Sequence, residues 1–417
     1  MNFFIQSLFI AIPIFLILIG IEMVAAKRKG IIVNRPADMI SSLSSGVTNI
    51  TKDGLKFGVI LVSYPWLLNH LMVYKLEPVW ASVFLAFLVQ DFTGYWMHRL
   101  SHRVNILWNR HIIHHSSEEF NLSCALRQSI SEMFRFGAIF MIPAALLGVP
   151  HKIFIILGPI HLFMQFWYHT RLIDKMGWLE KIIVTPSHHR VHHAINPEYI
   201  DKNYGQILII WDKLFGSFQP ELKTIPPVYG ILRPANTWNP IIINYKHVWQ
   251  LMKDAFYAKS VWDKIRIWFM PTGWRPEDVA ERFPINTIED PYSQIKYESN
   301  NSSSILIWGG SQMIISLILM FVMFAESQVL GQTITGLLAL FLMLNGFSYT
   351  SLMYGNSIAL FADGIKMILI GVVIFLLKSE PIPLSITAIF IYGILSTVGT
   401  FYFFRNEKKL INERGIK

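Results

Sequence analysis

Twelve of the 14 histidines in this 417-residue chain lie between His98 and His193, in clusters whose spacing suits a metal. The first reads Asp91-Phe-Thr-Gly-Tyr95-Trp-Met-His98-Arg-Leu-Ser-His102. On a helix, positions 91, 95, 98 and 102 share one face, so His98 and His102 can reach one ion. Asp91, two turns back, is placed to accept a ring N–H and fix its tautomer. The second cluster, His111-Ile-Ile-His114-His115, spreads three imidazoles over an arc of roughly 100° on a helix. The third, His188-His189-Arg-Val-His192-His193, repeats the H-x-x-H-H pattern at 189, 192 and 193. His188 could extend its face, and Asn196-Pro197 stops the helix. Histidines kept only for packing would not recur at ligand spacing.

His161, Gln165 and His169 also step at helical spacing. His169 suits a ligand, while His161 is open to ligation, support of a ligand or core packing. His151 reads as interfacial, and His70 and His247 as outliers without partners. Eight or more imidazoles exceed what one tetrahedral zinc needs, and a single cysteine, Cys124, excludes a thiolate cluster and an internal disulfide framework. Imidazole suits iron, zinc, copper and nickel. A nitrogen-rich site for two metals at a membrane face points to non-haem di-iron and O2 chemistry beside a slot for an apolar chain.

The elements that must hold these side chains are largely apolar. Hydrophobic residues make up 53% of the chain and charged residues 15%, and mean hydropathy is +0.42. That excludes a disordered chain and argues against an ordinary soluble domain. The net charge of +9 suits cytoplasmic loops facing anionic lipid better than nucleic acid. Residues 3–25 form an apolar run closed by Lys27-Arg28-Lys29, read as a retained anchor with its basic end inside. Further apolar stretches lie near 54–73, 79–97, 130–149, 151–168, 305–325, 329–350, 358–378 and 384–404. The pair 130–168 carries Pro143, Pro150 and Pro159, which suits tilted spans or a re-entrant hairpin. Alternating the spans puts the basic clusters and all three histidine clusters on the cytoplasmic side.

The expectation is therefore an all-α integral membrane protein. It is a helical bundle of about nine spans with a cytoplasmic helical cap holding a histidine-rich dimetal site. Residues 1–39 form the anchor and basic loop, and 40–220 the histidine core. Residues 221–303 form an interfacial, aromatic-rich region ending in the Glu298–Ser304 linker, and 304–417 a C-terminal four-helix membrane block. Trp238, Trp249, Trp262, Trp268 and Trp274 suggest an aromatic belt at the interface.

The order H-x-x-x-H, H-x-x-H-H, H-x-x-H-H with intervening spans resembles the fatty acid hydroxylase / sterol desaturase superfamily of membrane di-iron oxygenases. Three stretches are similar to its alkylglycerol monooxygenase-like members: His114 to Ser129, Gln165 to Thr170, and Thr185 to His193. The last continues to Asp201-Lys-Asn-Tyr204-Gly205 and Trp211-Asp212-Lys-Leu-Phe215-Gly216. The resemblance covers residues 40–220, and 301–417 matches only in layout. It implies metal ligands at His98, His102, His111, His114, His115, His169, His189, His192 and His193, with His161 and His188 as additional candidates. Asp91, Glu118 and Gln165 would support the ligands from behind. Gln165 stands where some members carry another histidine.

The resemblance further implies two iron ions, which zinc can replace in purified protein. The activity implied is mono-oxygenation of a lipid alkyl chain with O2 and an external electron donor, in a bacterial inner membrane or the endoplasmic reticulum. Attack at an ether carbon yields a hemiacetal that collapses to aldehyde and alcohol; attack at a plain methylene yields an alcohol. Hydroxylation or desaturation of fatty acyl or sterol-type lipids is the alternative within the superfamily. Arg103 follows His102 where ether-lipid enzymes often carry a glutamate, a departure that bears on use of their tetrahydropterin reductant. Glu118 and Glu119 could support the ligands, but a solvated pair is the favoured reading. A haem protein, a zinc hydrolase and a transporter are the competing classes. For the transporter, Asp363 and Lys366 sit one turn apart near a predicted helix end. The oligomeric state is left open.

Overall fold

The computed structural model describes residues 3–55, 59–132, 134–299, 302–377 and 383–414. The elements that position the site are α1 (Phe3–Arg28), α2 (Pro36–Leu55), α3 (Val79–Arg103), α4 (Ile112–His115) and α5 (His151–Phe163). They continue with α6 (Pro186–His192), α7 (Pro240–Tyr257), α8 (Ser303–Leu352), α9 (Ile358–Leu376) and α10 (Leu384–Arg414). Strand structure is slight: Val59–Ile60 pairs in parallel with Phe134–Arg135. The middle of the expected Glu298–Ser304 linker, residues 300 and 301, lies outside the described residues.

Four helices among the described residues are long and apolar enough to cross a membrane: α1, α8, α9 and α10. The protein is an integral membrane protein. Helix α8 runs 50 residues with a left-handed Gly331 at its centre. Asn345 Nδ2 donates to Ser316 Oγ at 2.9 Å across that point, so α8 folds back on itself there. It therefore supplies both apolar stretches expected at 305–325 and 329–350.

The middle stretches do not make long apolar helices, and nine such helices are not present among the described residues. Of the stretch 54–73, residues 56–58 lie outside the described residues, and the rest gives the end of α2, a two-residue strand and the short helix Tyr64–Leu71. The stretch 79–97 lies in α3, whose 25 residues include Asp91, His98, Arg99 and His102. Residues 130–149 break into a strand, a 3-10 turn and the helix Ile142–Leu146, and 151–168 yields the 13-residue α5. Proline explains the interruption: Pro143 and Pro150 sit where helices start, because they lack the N–H that an interior position needs.

One apolar cluster joins the membrane helices. Leu8 and Ile12 of α1 and Val47 of α2 pack with Met320, Phe324 and Phe341 of α8, Ile370 of α9 and Ile389 of α10. Helix α2 is unusual, since Ser41, Ser42, Ser44, Ser45, Thr48 and Thr51 are all buried. Small hydroxyl residues let it lie against α8, where a Cβ on Gly346 would meet Thr48 Cγ2 at 3.2 Å. Tyr349 donates to Ser44 Oγ at 2.7 Å, which gives both buried hydroxyls a partner. Through α2 the membrane helices reach the histidine segments.

Candidate metal centre

The nine expected ligand residues converge in two groups: His98, His102, His111, His115 and His192, and His114, His169, His189 and His193. Within each group the ligand atoms lie within 4.8 Å of one another. The groups adjoin, with the His115 and His193 rings stacked at 4.3 Å. Helix α3 delivers His98 and His102 from successive turns, α4 and its flanks deliver 111, 114 and 115, and α6 and its end deliver 189, 192 and 193. His169 enters from the segment after α5.

Backbone carbonyls orient the rings. His98 Nδ1 lies 2.8 Å from the Tyr204 carbonyl and His192 Nδ1 2.9 Å from that of Lys202. His114 Nδ1 lies 3.2 Å from the Arg127 carbonyl and His169 Nδ1 3.0 Å from that of Gln165. A carbonyl only accepts, so in these four rings Nδ1 carries the proton and Nε2 a bare lone pair. Yet His114 Nε2 and His169 Nε2 face each other at 3.3 Å, with no proton for either to share. His102 Nε2 and His192 Nε2 are buried with no hydrogen-bond partner among the described residues. Facing lone pairs and orphaned ring nitrogens in a buried pocket are what a cation relieves, so these residues fit bound metal. Burial pushes the imidazole of His98 down to about 3 and that of His114 to about 4, and the other seven well below the usual histidine range. Neutral rings are the form that donates to metal.

The segment supplying two of those carbonyls is itself clamped. Asp201 and Asn203 adopt left-handed backbone conformations, φ 61° and 55°, which short amide and carboxylate side chains tolerate best. Asp212 accepts the N–H groups of Tyr204 and Gly205, each at 2.7 Å. A Cβ on Gly205 would meet Asp212 Oδ2 at 2.8 Å, so glycine is required for that approach. Arg103 binds Asp201 at 2.8 Å, and Asp201 lies 3.8 Å from His102 Nδ1.

The supporting residues sit elsewhere than spacing suggested. Asp91 does accept a ring N–H, but from His161, at 2.9 Å, because the Tyr204 carbonyl already takes the proton of His98. Gln165 Nε2 then meets His161 Nδ1 at 3.2 Å. Neither His161 nor His188 joins the two groups; His188 caps the start of α6 by accepting the Thr185 N–H. Glu118 and Glu119 are buried rather than solvated. Arg35 binds both at 3.3 and 2.9 Å, and Arg171 and Lys296 bind Glu119 at 3.2 and 2.6 Å. Those cations come from remote segments that local spacing cannot reveal. Trp238 is also buried, donating to Ser299 Oγ, whereas Trp249 and Trp262 are exposed. His247 is no outlier, since its Nε2 lies 2.9 Å from the Asn105 carbonyl. His70 likewise meets the Trp66 carbonyl.

Three supports went unforeseen. Arg127 is buried, paired with Asp38 at 2.7 Å and bonded to Ser42 and Ser116, and its own carbonyl holds His114. Glu22 of α1 accepts from Thr170 and from the Leu122 N–H, tying the anchor helix to the segments beside His115 and His169. Asp212 is the third. The quoted motif from Asp201 to Gly216 was the available signal for it.

A cavity of about 570 Å3 opens onto the centre. His98, His111, His114, His169 and His189 line it, together with Leu8, Ile12 and Phe15 of α1 and Leu162 and Phe163 of α5.

A family model described as fatty acid hydroxylase matches residues 83–217, the stretch that holds all nine expected ligand histidines. Human alkylglycerol monooxygenase is 35% identical over 341 residues, covering 80% of this chain and 75% of the human protein. Alkylglycerol monooxygenase of Danio rerio is 40% identical over 266 residues, 61% of this chain and 58% of that protein. The ornithine lipid hydroxylase of Rhizobium tropici is 33% identical over 142 residues, 34% of this chain and 43% of its own length. No solved structure matches the chain. The motifs and the relatives agree: the chain belongs to the fatty acid hydroxylase / sterol desaturase superfamily, among its alkylglycerol monooxygenase-like members.

Proposed function

We propose that this chain is a membrane-bound di-iron mono-oxygenase that places one oxygen atom of O2 on the ether carbon of an alkylglycerol-type lipid. The observation that carries the reading is the His114–His169 pair, whose carbonyl-held tautomers leave two lone pairs facing at 3.3 Å. The nine histidines are the ligands in this reading, and the bound iron pair supplies the activation of O2. The names of the relatives, monooxygenase and hydroxylase, support an oxidoreductase acting on lipid.

The chain's own residues do the rest. The carbonyls of Tyr204, Lys202, Arg127 and Gln165 hold the rings in one tautomer and orientation, which keeps each Nε2 available. Burial keeps the rings neutral and excludes bulk water. Leu8, Ile12, Phe15, Leu162 and Phe163 form an apolar wall that receives the alkyl chain and brings one carbon to the histidines. Once hydroxylated, an ether carbon is a hemiacetal, which collapses to aldehyde and alcohol. The two electrons come from an external donor. Residues 40–220 form the catalytic core, and Lys27 and Arg28 at the end of α1 support a cytoplasmic centre.

The test is metal analysis of the anaerobically purified chain, followed by exposure to O2, a reductant and single-chain lipids. About two iron per chain and O2-dependent aldehyde release from alkylglycerol is the expected result. Oxidation confined to fatty acyl or sterol lipids would move the activity elsewhere in the superfamily. Failure to retain iron, with no lipid oxidised by either tetrahydropterin or a protein donor, would overturn the reading.

A further inference from the structure

The cavity has a second wall whose chemistry the apolar lining does not explain. Lys52 from α2, Arg110 beside His111, Ser129 and Glu132 also line it. Arg110 Nη2 pairs with Glu132 at 2.8 Å, but Arg110 Nη1 is buried with no hydrogen-bond partner among the described residues. A buried guanidinium N–H left unmade is costly, and it is the donor an oxyanion would take. Lys52 donates to the Ser129 carbonyl at 2.8 Å, and no carboxylate pairs with it among the described residues. Burial pushes the Lys52 ammonium down, and the charges of Asp53, Glu132, Arg135 and Arg110 lie around it. Among the described residues the neighbourhood then holds three cations, Lys52, Arg110 and Arg135, against two carboxylates, Asp53 and Glu132. The surplus is one positive charge in a half-buried wall.

We propose that Arg110 and Lys52 form a headgroup subsite for the phosphate of a single-chain lipid, bound head-in with its alkyl chain along α1 and α5. The proposal rests on the reading of this cavity as the lipid slot and adds the headgroup chemistry. It also carries a positional consequence. Arg110 directly precedes His111, so a headgroup held there leaves the first carbons of the chain nearest the histidines. The carbon beside the headgroup is then the one presented for oxidation, and mid-chain methylenes lie along Leu8, Ile12 and Phe163.

The experiment reads binding, so it stands apart from turnover. Hexadecyl phosphate and hexadecylglycerol compete for the full-length protein in neutral detergent, against a chain-labelled hexadecyl phosphate. Hexadecyl phosphate is expected to bind about tenfold tighter, the worth of one charge-assisted contact, with the preference shrinking as salt rises. Arg110→Gln and Lys52→Met should each lower that preference several-fold, and Arg110→Lys should retain part of it. Metal content and thermal melting of each variant report folding. Should Arg110→Gln fail to fold, Lys52→Met and the salt series decide. Equal affinity for the two lipids in the wild type, or a preference untouched by both substitutions and by salt, overturns the proposal. Oxidation of alkylglycerol by a protein that shows no phosphate preference would sink the subsite and leave the oxygenase reading standing. Phosphate preference without oxidation would do the reverse.

Discussion

Asp91 Oδ1 lies 2.9 Å from His161 Nε2, joining two residues 70 positions apart. The same carboxylate accepts the N–H groups of Ile207 and Leu208 at 3.0 and 3.1 Å and the Trp211 indole N–H at 2.9 Å. One buried side chain thus fastens α3, α5 and the segment just beyond Tyr204, whose carbonyl orients His98. Replacing it by alanine strands three donors and a histidine in the interior.

Asp91→Ala is therefore expected to destabilise the protein by about 3–5 kcal/mol, the usual cost of removing one partner from a buried charged network. Asp91→Asn keeps part of the bonding and should cost less. Thermal melting in detergent checks the order; equal melting of Asp91→Ala and wild type would show that the clamp carries no stability.

The two histidine groups predict a sharp division among alanine variants. His114→Ala and His192→Ala each remove one ring from a different group and should lower bound metal, measured per chain after anaerobic purification. His188→Ala should keep its metal, because that ring caps α6 and joins neither group. Metal retained in the first two variants, or lost in the third, would contradict the ligand assignment.

Much of this centre was readable from spacing. His98 and His102 share a helix face by periodicity alone, and H-x-x-H-H at two places announced rings that could converge. The carbonyl partners were not readable, since Tyr204, Lys202 and Arg127 act through backbone oxygens that any residue offers. Asp91 shows the same limit: its helix face was right, but its partner depended on where α5 packs. The apolar stretches at both ends were legible because length and hydropathy suffice there. The middle ones misled for two reasons: Pro143 and Pro150 restart the chain at new helices without lowering hydropathy, and the apolar run of 79–97 belongs to a helix that also carries Asp91, His98, Arg99 and His102. Helix α2 carries no apolar signal of this kind, since its serines and threonines are small and polar, yet close packing against α8 buries them.

His247 gives a pH dependence outside the centre. Burial is the main cause that pushes its imidazole down to about 4, partly offset by its bond to the Asn105 carbonyl. The unfolded chain takes up a proton near the ordinary histidine value of about 6.5, while the folded chain waits until about pH 4. Stability from this group is therefore full above about 6.5 and falls as pH drops toward 4, by up to about 3 kcal/mol. His247→Gln, which retains an N–H donor for that carbonyl, should melt with a shallower acid limb than wild type. Parallel limbs would show that His247 is not the titrating group.

Lys366 and Asp363 test what holds the C-terminal helices. They were legible as neighbours one turn apart near a helix end, but both are fully buried, with Nζ 2.6 Å from Asp363 Oδ1. Lys366 also donates to Asn345 Oδ1 at 2.8 Å and Ser396 Oγ at 2.7 Å, so it links α9 to α8 and α10. Removing one partner leaves an uncompensated charge among apolar helices, whereas removing both leaves only a packing change. Lys366→Met and Asp363→Leu alone are each expected to destabilise the bundle by about 3–5 kcal/mol, and the double variant by clearly less than their sum. Thermal melting of the four proteins in one detergent gives the coupling. Additive losses would mean that the two residues act separately, and that Asn345 and Ser396 rather than Asp363 hold the lysine in place.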